Sequence, residues 1–141
     1  MSIPETQAAP PAAERTRFIE HRGARILFMD FSEMNGPGEA LAELEKARRL
    51  IATQQPGSLL TLTDVTGTRY DAEIIAAFQA LAAHNKPFVK AAASVTRTPL
   101  QLVALRASAV HSRRNLQAFA DLDEAREWLA AQRDAPPRRR D

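Results

Sequence analysis

The strongest constraint in the chain is an alternation. Four short apolar runs, ARILFMDF, SLLTLTDV, KPFVKAAASV and NLQAFA, read as strands, and each is followed by a stretch with helical spacing. ARILFMDF is nearly continuous in apolar residues, as expected of a strand buried on both faces of a parallel sheet. Ahead of it, TRFIEH reads as a further strand containing Phe18, joined to the next by a turn at Gly23, which makes the two antiparallel. The order is β-β-α-β-α-β-α-β-α. It predicts an α/β fold: a single mixed, mostly parallel sheet of about five strands, the first antiparallel in a hairpin, with four helices and right-handed crossovers.

The helices carry their own punctuation. Asn35-Gly36-Pro37-Gly38 breaks the second strand and leads into EALAELEKARRLIAT, where Ala40, Leu44, Ala47 and Ile51 share one face. Glu39, Glu43 and Glu45 come early in that helix and Arg48 and Arg49 late, the favourable order for its dipole. Pro56-Gly57 stops it. The second helix places Ile74, Ala77, Phe78 and Leu81 on a core face. The third is capped by Thr98, with Pro99 at its first position, where the missing N–H costs nothing. The last has Asp121 as cap and Glu124 three residues on, with Leu122, Ala125, Trp128 and Leu129 facing inward. Residues 1–15 are rich in Pro, Ala and polar residues and read as disordered, residues 16–133 as one domain, and residues 134–141, with PPRRRD, as a disordered basic tail.

Composition excludes several function classes. The chain has 141 residues, 19 basic and 17 acidic, for a net charge of +2, too balanced to argue for nucleic acid. There is no Cys, so neither a thiolate nucleophile nor a Cys-based zinc site is available, and the three His are scattered. No cofactor and no metal are expected. Neither a secretory signal nor a stretch of about 18 apolar residues is present, which makes a cytoplasmic protein without a membrane span the expectation.

In a parallel sheet the loops after the strand carboxyl ends gather at one edge, where ligands commonly bind. Here that edge collects SEMNGPG, Thr66-Gly67-Thr68-Arg69-Tyr70-Asp71 and Thr96-Arg97-Thr98. Hydroxyls, an Arg and free N–H groups at a helix start suit an anion. The same residue types are also what a strand-to-helix turn needs. Neither G-x-x-x-x-G-K-[ST] nor G-x-G-x-x-G is present. Asp30 and Asp64 end two strands of the sheet, so a receiver-like phosphoacceptor using Asp64, with Thr96 as the hydroxyl, is an alternative. Against it, Phe31 and Ser32 follow Asp30 where a second acid is needed, and LQAFAD offers no Lys. Neither Glu20 with His21 nor His111 with Ser112 has triad spacing, so no catalytic residue is assigned.

The third helix is apolar on two sides. At about 100° per residue, Leu100, Val103, Ala104 and Ala107 share one side and Leu102, Leu105 and Ala109 nearly the opposite. A helix covering a sheet needs one apolar side only. The Leu102/Leu105 stripe, flanked by Arg106 and Arg113, is therefore expected to meet a neighbouring helix, a second copy of the chain or a partner.

LLTLTDVTGTRYD, EIIAAFQALA, KAAASVTRTPLQLVALRA and LQAFADLDEAREWLA together resemble the STAS superfamily (sulfate transporter and anti-sigma-factor antagonist), in its SpoIIAA-like branch, over roughly residues 17–132. The resemblance implies a mixed sheet with helices and a regulatory module that docks a protein partner, such as an anti-sigma kinase, through the edge holding the strand-to-helix loop. In that family a Ser at the helix start is phosphorylated within a motif like Asp-Ser-Ser-Gly. The matching place here reads Asp71-Ala72-Glu73-Ile74: the Asp is present and the acceptor hydroxyl is not. The expectation is a non-catalytic protein-interaction module, with Thr66, Gly67, Thr68, Arg69, Tyr70, Arg97, Thr98, Leu102 and Leu105 as contacts to a kinase-like partner or to a second copy in a homodimer. The alternative is a domain binding a small ligand, whether anion, nucleotide or lipid, at the loop edge.

Overall fold

The computed structural model describes residues 14–34, 36–67, 71–112 and 115–134. The expected terminal segments lie almost wholly outside them, as do Thr68, Arg69 and Tyr70. The elements follow the expected order: β1 (Thr16–His21), β2 (Ala24–Asp30), α1 (Pro37–Ile51), β3 (Leu59–Asp64), α2 (Ala72–Asn85), β4 (Val89–Val95), α3 (Pro99–Ser112), β5 (Leu116–Phe119) and α4 (Leu122–Gln132).

The five strands lie in sequence order, β1-β2-β3-β4-β5. β1 pairs antiparallel with β2, and the other neighbours are parallel. Arg22 (φ 51°) and Gly23 (φ 81°) both take left-handed backbone between the paired His21 and Ala24. A two-residue turn of this kind matches the twist of its flanking strands, and Gly accepts such a φ without strain. Arg15 secures the far end of β1, donating from its guanidinium to the carbonyls of Asp30 (3.1 Å) and Ser32 (2.9 Å).

Successive parallel strands that step one way across a sheet with crossovers of one hand keep the connecting helices on one face. α1, α2 and α3 accordingly lie on one face and α4 lies alone on the other. Beneath α4, Ile26, Phe28, Leu60, Leu62, Ala93 and Val95 meet the fully buried Ala125 and Leu129, with Trp128 against Phe119 at the margin. On the opposite face Leu27, Met29 and Phe31 pack against Leu44, Ala47 and Ile51 of α1 and Leu81 of α2. The face expected for α1 is buried as read, and on α2 Ile74 and Leu81 are buried while Ala77 and Phe78 are half-buried. Phe78 meets Phe31 edge-on, with ring centroids 4.9 Å apart.

α3 departs from the expected orientation. Leu105 packs into the core and Leu102 is half-buried, whereas Leu100 is 80% and Val103 65% exposed. The helix therefore seats the stripe read as surplus and leaves the opposite one open. In its first turn the buried Thr96 hydroxyl donates to Oε1 of Gln101, which lies on the same side of the helix as Leu105 one turn later.

Charge on the helix surfaces follows the dipole argument. The exposed Glu45 carboxylate accepts from Arg48 at 2.6 Å and from Arg49 at 3.1 Å, and these two hydrogen bonds, Arg48 first, lower its pKa to about 2. Because the folded value is depressed, any stability this carboxylate adds is present above the ordinary Glu range and fades as pH falls toward about 2. Replacing both Arg48 and Arg49 with Ala should return the Glu45 midpoint to the ordinary carboxylate range in an NMR titration. Thermal stability at neutral pH should change little, since exposed pairs are worth little.

Candidate functional site

The most distinctive feature of the three-helix face is a cavity of about 520 Å³ between α2 and α3. Its origin lies in the strand sequences. Side chains alternate across a sheet, so LLTLTD in β3 sends Leu60 and Leu62 toward α4 and Thr61 and Thr63 toward α2 and α3. In β4, VKAAASV sends Ala91, Ala93 and Val95 to the α4 side and Ala92 and Ser94 to the other. Hydroxyl-bearing and small residues thus floor the space where a larger aliphatic would have filled it. The facing helices add Ala82 and Ala104, which are small as well.

The walls are apolar: Ile75 and Phe78 from α2, Leu105 from α3 and Leu116 from β5. Exposed Ile75, Gln79 and Ala104 form the rim. Phe31, Val65 and Gln101 reach the cavity from the loop edge, and Asn85 and Val89 from the opposite end, so it runs along the strands. Asn85 is buried, its Oδ1 3.0 Å from Nδ1 of His84. Among the described lining residues none is Asp, Glu, Lys, Arg or His.

At the loop edge the polar groups serve mainly to shape the backbone. Oδ1 of Asp30 accepts from the Ser32 N–H (2.9 Å) and hydroxyl (2.5 Å). Oδ1 of Asp64, a buried residue, accepts from the Thr66 N–H at 3.0 Å. The two acids are register partners at the ends of β2 and β3. Among the described residues no group of three or more His, Cys, Asp or Glu could hold a metal ion. Gly67 takes φ 75°, and a Cβ there would collide with the Glu33 carboxyl group. An acid lying against this turn works against an anion at the same place.

Of the residues read from sequence, Thr66 is half-buried, and its Oγ1 is the one buried side-chain polar atom among the described residues without a hydrogen-bond partner. Arg97 and Thr98 are exposed. Asp71 caps α2, its Oδ1 accepting from the Ile74 N–H at 2.9 Å. Thr96, read as a hydroxyl for a phosphoacceptor site, is fully buried, bonded to Gln101 and accepting from the Thr98 N–H at 3.2 Å. Thr61, Thr63, Ala92, Ser94 and Gln101, which line the cavity, were not singled out as site residues. The signal that marks them is the hydroxyl-and-Ala alternation in β3 and β4, in contrast to the nearly continuous apolar run of β2.

The five-stranded mixed sheet, with three helices on one face and one on the other, is a SpoIIAA-like fold. The crystal structure of an uncharacterized protein of the DUF3478 family with a SpoIIAA-like fold, from Shewanella loihica PV-4, superposes with a TM-score of 0.63 at 14% identity, covering 81% of this chain and 91% of that one. At that identity the likeness concerns the fold. No family model matches the chain, and no curated protein matches it. Among the described residues no helix is long and apolar enough to cross a membrane.

The Thr96 hydroxyl joins the end of β4 to the cavity wall. Thr96→Val keeps the shape and strands the Thr98 N–H and the Gln101 carbonyl. It should cost ~1–3 kcal/mol in urea denaturation. Amide exchange should quicken first at Leu102, whose N–H bonds to the Thr98 carbonyl.

Proposed function

We propose that this is a non-catalytic binding domain that holds a small, largely apolar ligand between α2 and α3. The observation that carries this reading is the cavity: about 520 Å³, walled by aliphatic and aromatic side chains and floored by a few hydroxyls. That size and composition match small-molecule sites, which run to roughly 300–1,000 Å³ with a few placed polar groups among apolar ones. The ligand's place is then the helix-covered face rather than the loop edge. Protein interiors are otherwise close-packed, and a space this large costs contacts that a ligand restores.

Binding of the fluorescent apolar probe N-phenyl-1-naphthylamine to the purified chain tests this. Ala92→Phe fills the floor from beneath, and Ala104→Trp closes the rim from an exposed position. Both should abolish probe binding, and Ala104→Trp should leave the circular dichroism spectrum and melting temperature of the free protein nearly unchanged. Full probe binding by a folded Ala104→Trp variant would count against the cavity as the site.

A second reading keeps the protein partner that the family resemblance implies. It is favoured by the exposed Leu100 and Val103 on the outer side of α3. Here the contact surface would be that stripe, with Arg97 beside it, instead of Leu102 and Leu105. Replacing Leu100 and Val103 with Ser should then abolish any self-association seen by light scattering while leaving probe binding intact.

A further inference from the structure

The cavity carries hydroxyls on its floor beneath mostly apolar walls, with Gln79 as a polar residue of its rim, an arrangement unlike a site that swallows a hydrocarbon tail and leaves a charged head in water. Resting on the cavity reading above, we propose that its ligand is an uncharged amphiphile that enters hydrogen-bonding end first and sets a hydroxyl or carbonyl on the sheet.

Three observations carry this. Thr61, Thr63 and Ser94 project from β3 and β4 into the floor, Thr61 almost fully buried and the other two half-buried. Above them stand Ile75, Phe78 and Leu105, so the ligand's remainder meets hydrocarbon. None of the described residues lining the space is ionisable.

These features rank ligand classes by elementary chemistry. A carboxylate or ammonium carried into the cavity loses its hydration and meets no opposite charge among the described lining residues, which is the most costly form of burial. A pure hydrocarbon fills the walls but drives water off three hydroxyls and offers them nothing in return. An alcohol, ketone or ester gives up little, because a Ser or Thr hydroxyl both donates and accepts and serves either kind of head group. The class selected is therefore neutral, with one or two oxygen functions at one end and a compact apolar body.

Displacement of N-phenyl-1-naphthylamine from the full chain at pH 7 by 1-decanol, decanoate and decylammonium, matched in chain length, tests the ranking. 1-Decanol should displace the probe at a concentration at least roughly ten-fold below either ion, the order set by one net hydrogen bond together with the avoided desolvation of a charge. The double variant Thr63→Val, Ser94→Ala keeps the cavity's shape. Its own affinity for the probe is measured directly, and its inhibition constant for 1-decanol, corrected for that affinity, should rise roughly five- to ten-fold. Decanoate or decylammonium displacing as well as the alcohol would overturn the proposal, and so would an unchanged alcohol affinity in the double variant; probe binding itself would survive either result. Failure of the parent chain to bind the probe at all would overturn the cavity reading and this proposal together.

Discussion

The molecule depends on how two central strands divide their side chains between the faces of the sheet. β3 and β4 give Leu60, Leu62, Ala91, Ala93 and Val95 to one face and Thr61, Thr63, Ala92 and Ser94 to the other. The first set supports a dry seal against a single helix, in which Ala125 and Leu129 of α4 are fully buried. Losing a buried leucine side chain from such a layer costs ~2–5 kcal/mol, so one helix suffices where the contact is this complete. The second set cannot seal its face in the same way. Where β2 lies beneath α1, Leu27 and Met29 restore the bulk and the face closes. Beneath α2 and α3 the floor stays low, and the space above it remains.

This asymmetry explains which parts of the fold were legible from residues alone. Helix faces with strong spacing, such as Ala40, Leu44, Ala47 and Ile51, are buried as read, because each needs only its own periodicity. Element order and parallel pairing followed from the alternation, whereas the spatial order β1-β2-β3-β4-β5 did not, because a right-handed crossover can step to either side of a strand. The orientation of α3 was not legible, because both of its sides are apolar and periodicity cannot choose between them. In the fold Leu105 packs against the core and the Thr96 hydroxyl bonds Gln101 on the same side, both tertiary contacts that periodicity does not show. The cavity was in principle legible in the Thr and Ser of β3 and β4. Thr is common in strands for its β-branched shape alone, and the pattern acquires meaning only once two helices are known to stand apart above it.

The loop edge teaches a complementary lesson. Asp30, Asp64, Asp71 and Thr96 have the chemistry of a phosphoryl or anion site when read along the chain. In the fold, each spends hydrogen bonds on a nearby backbone N–H: Ser32 for Asp30, Thr66 for Asp64, Ile74 for Asp71 and Thr98 for Thr96. Such local bonds are the ordinary work of these residues at turns and helix starts. Glu33, against Gly67, adds negative charge where an anion would need the opposite. The likeness to a SpoIIAA-like structure concerns the overall fold. It does not extend to the acceptor hydroxyl at Ala72.

The cavity and the exposed α3 stripe do not weigh equally as functional signals. Single exposed aliphatic residues are common on soluble proteins, and most of a folded surface is contributed by apolar atoms in any case. Leu100 and Val103 are the two such residues on this helix among the described ones. A cavity of this size is rarer, because packing normally removes it: one larger side chain at Ala92, Ser94 or Ala104 would narrow it and add contacts. The chain instead carries small residues at all three positions, and hydroxyls at Thr61, Thr63 and Ser94, and so forgoes side-chain contacts there. An occupant with hydrocarbon for the walls and an oxygen for the floor would restore those contacts, which gives the cavity the stronger claim as a candidate site.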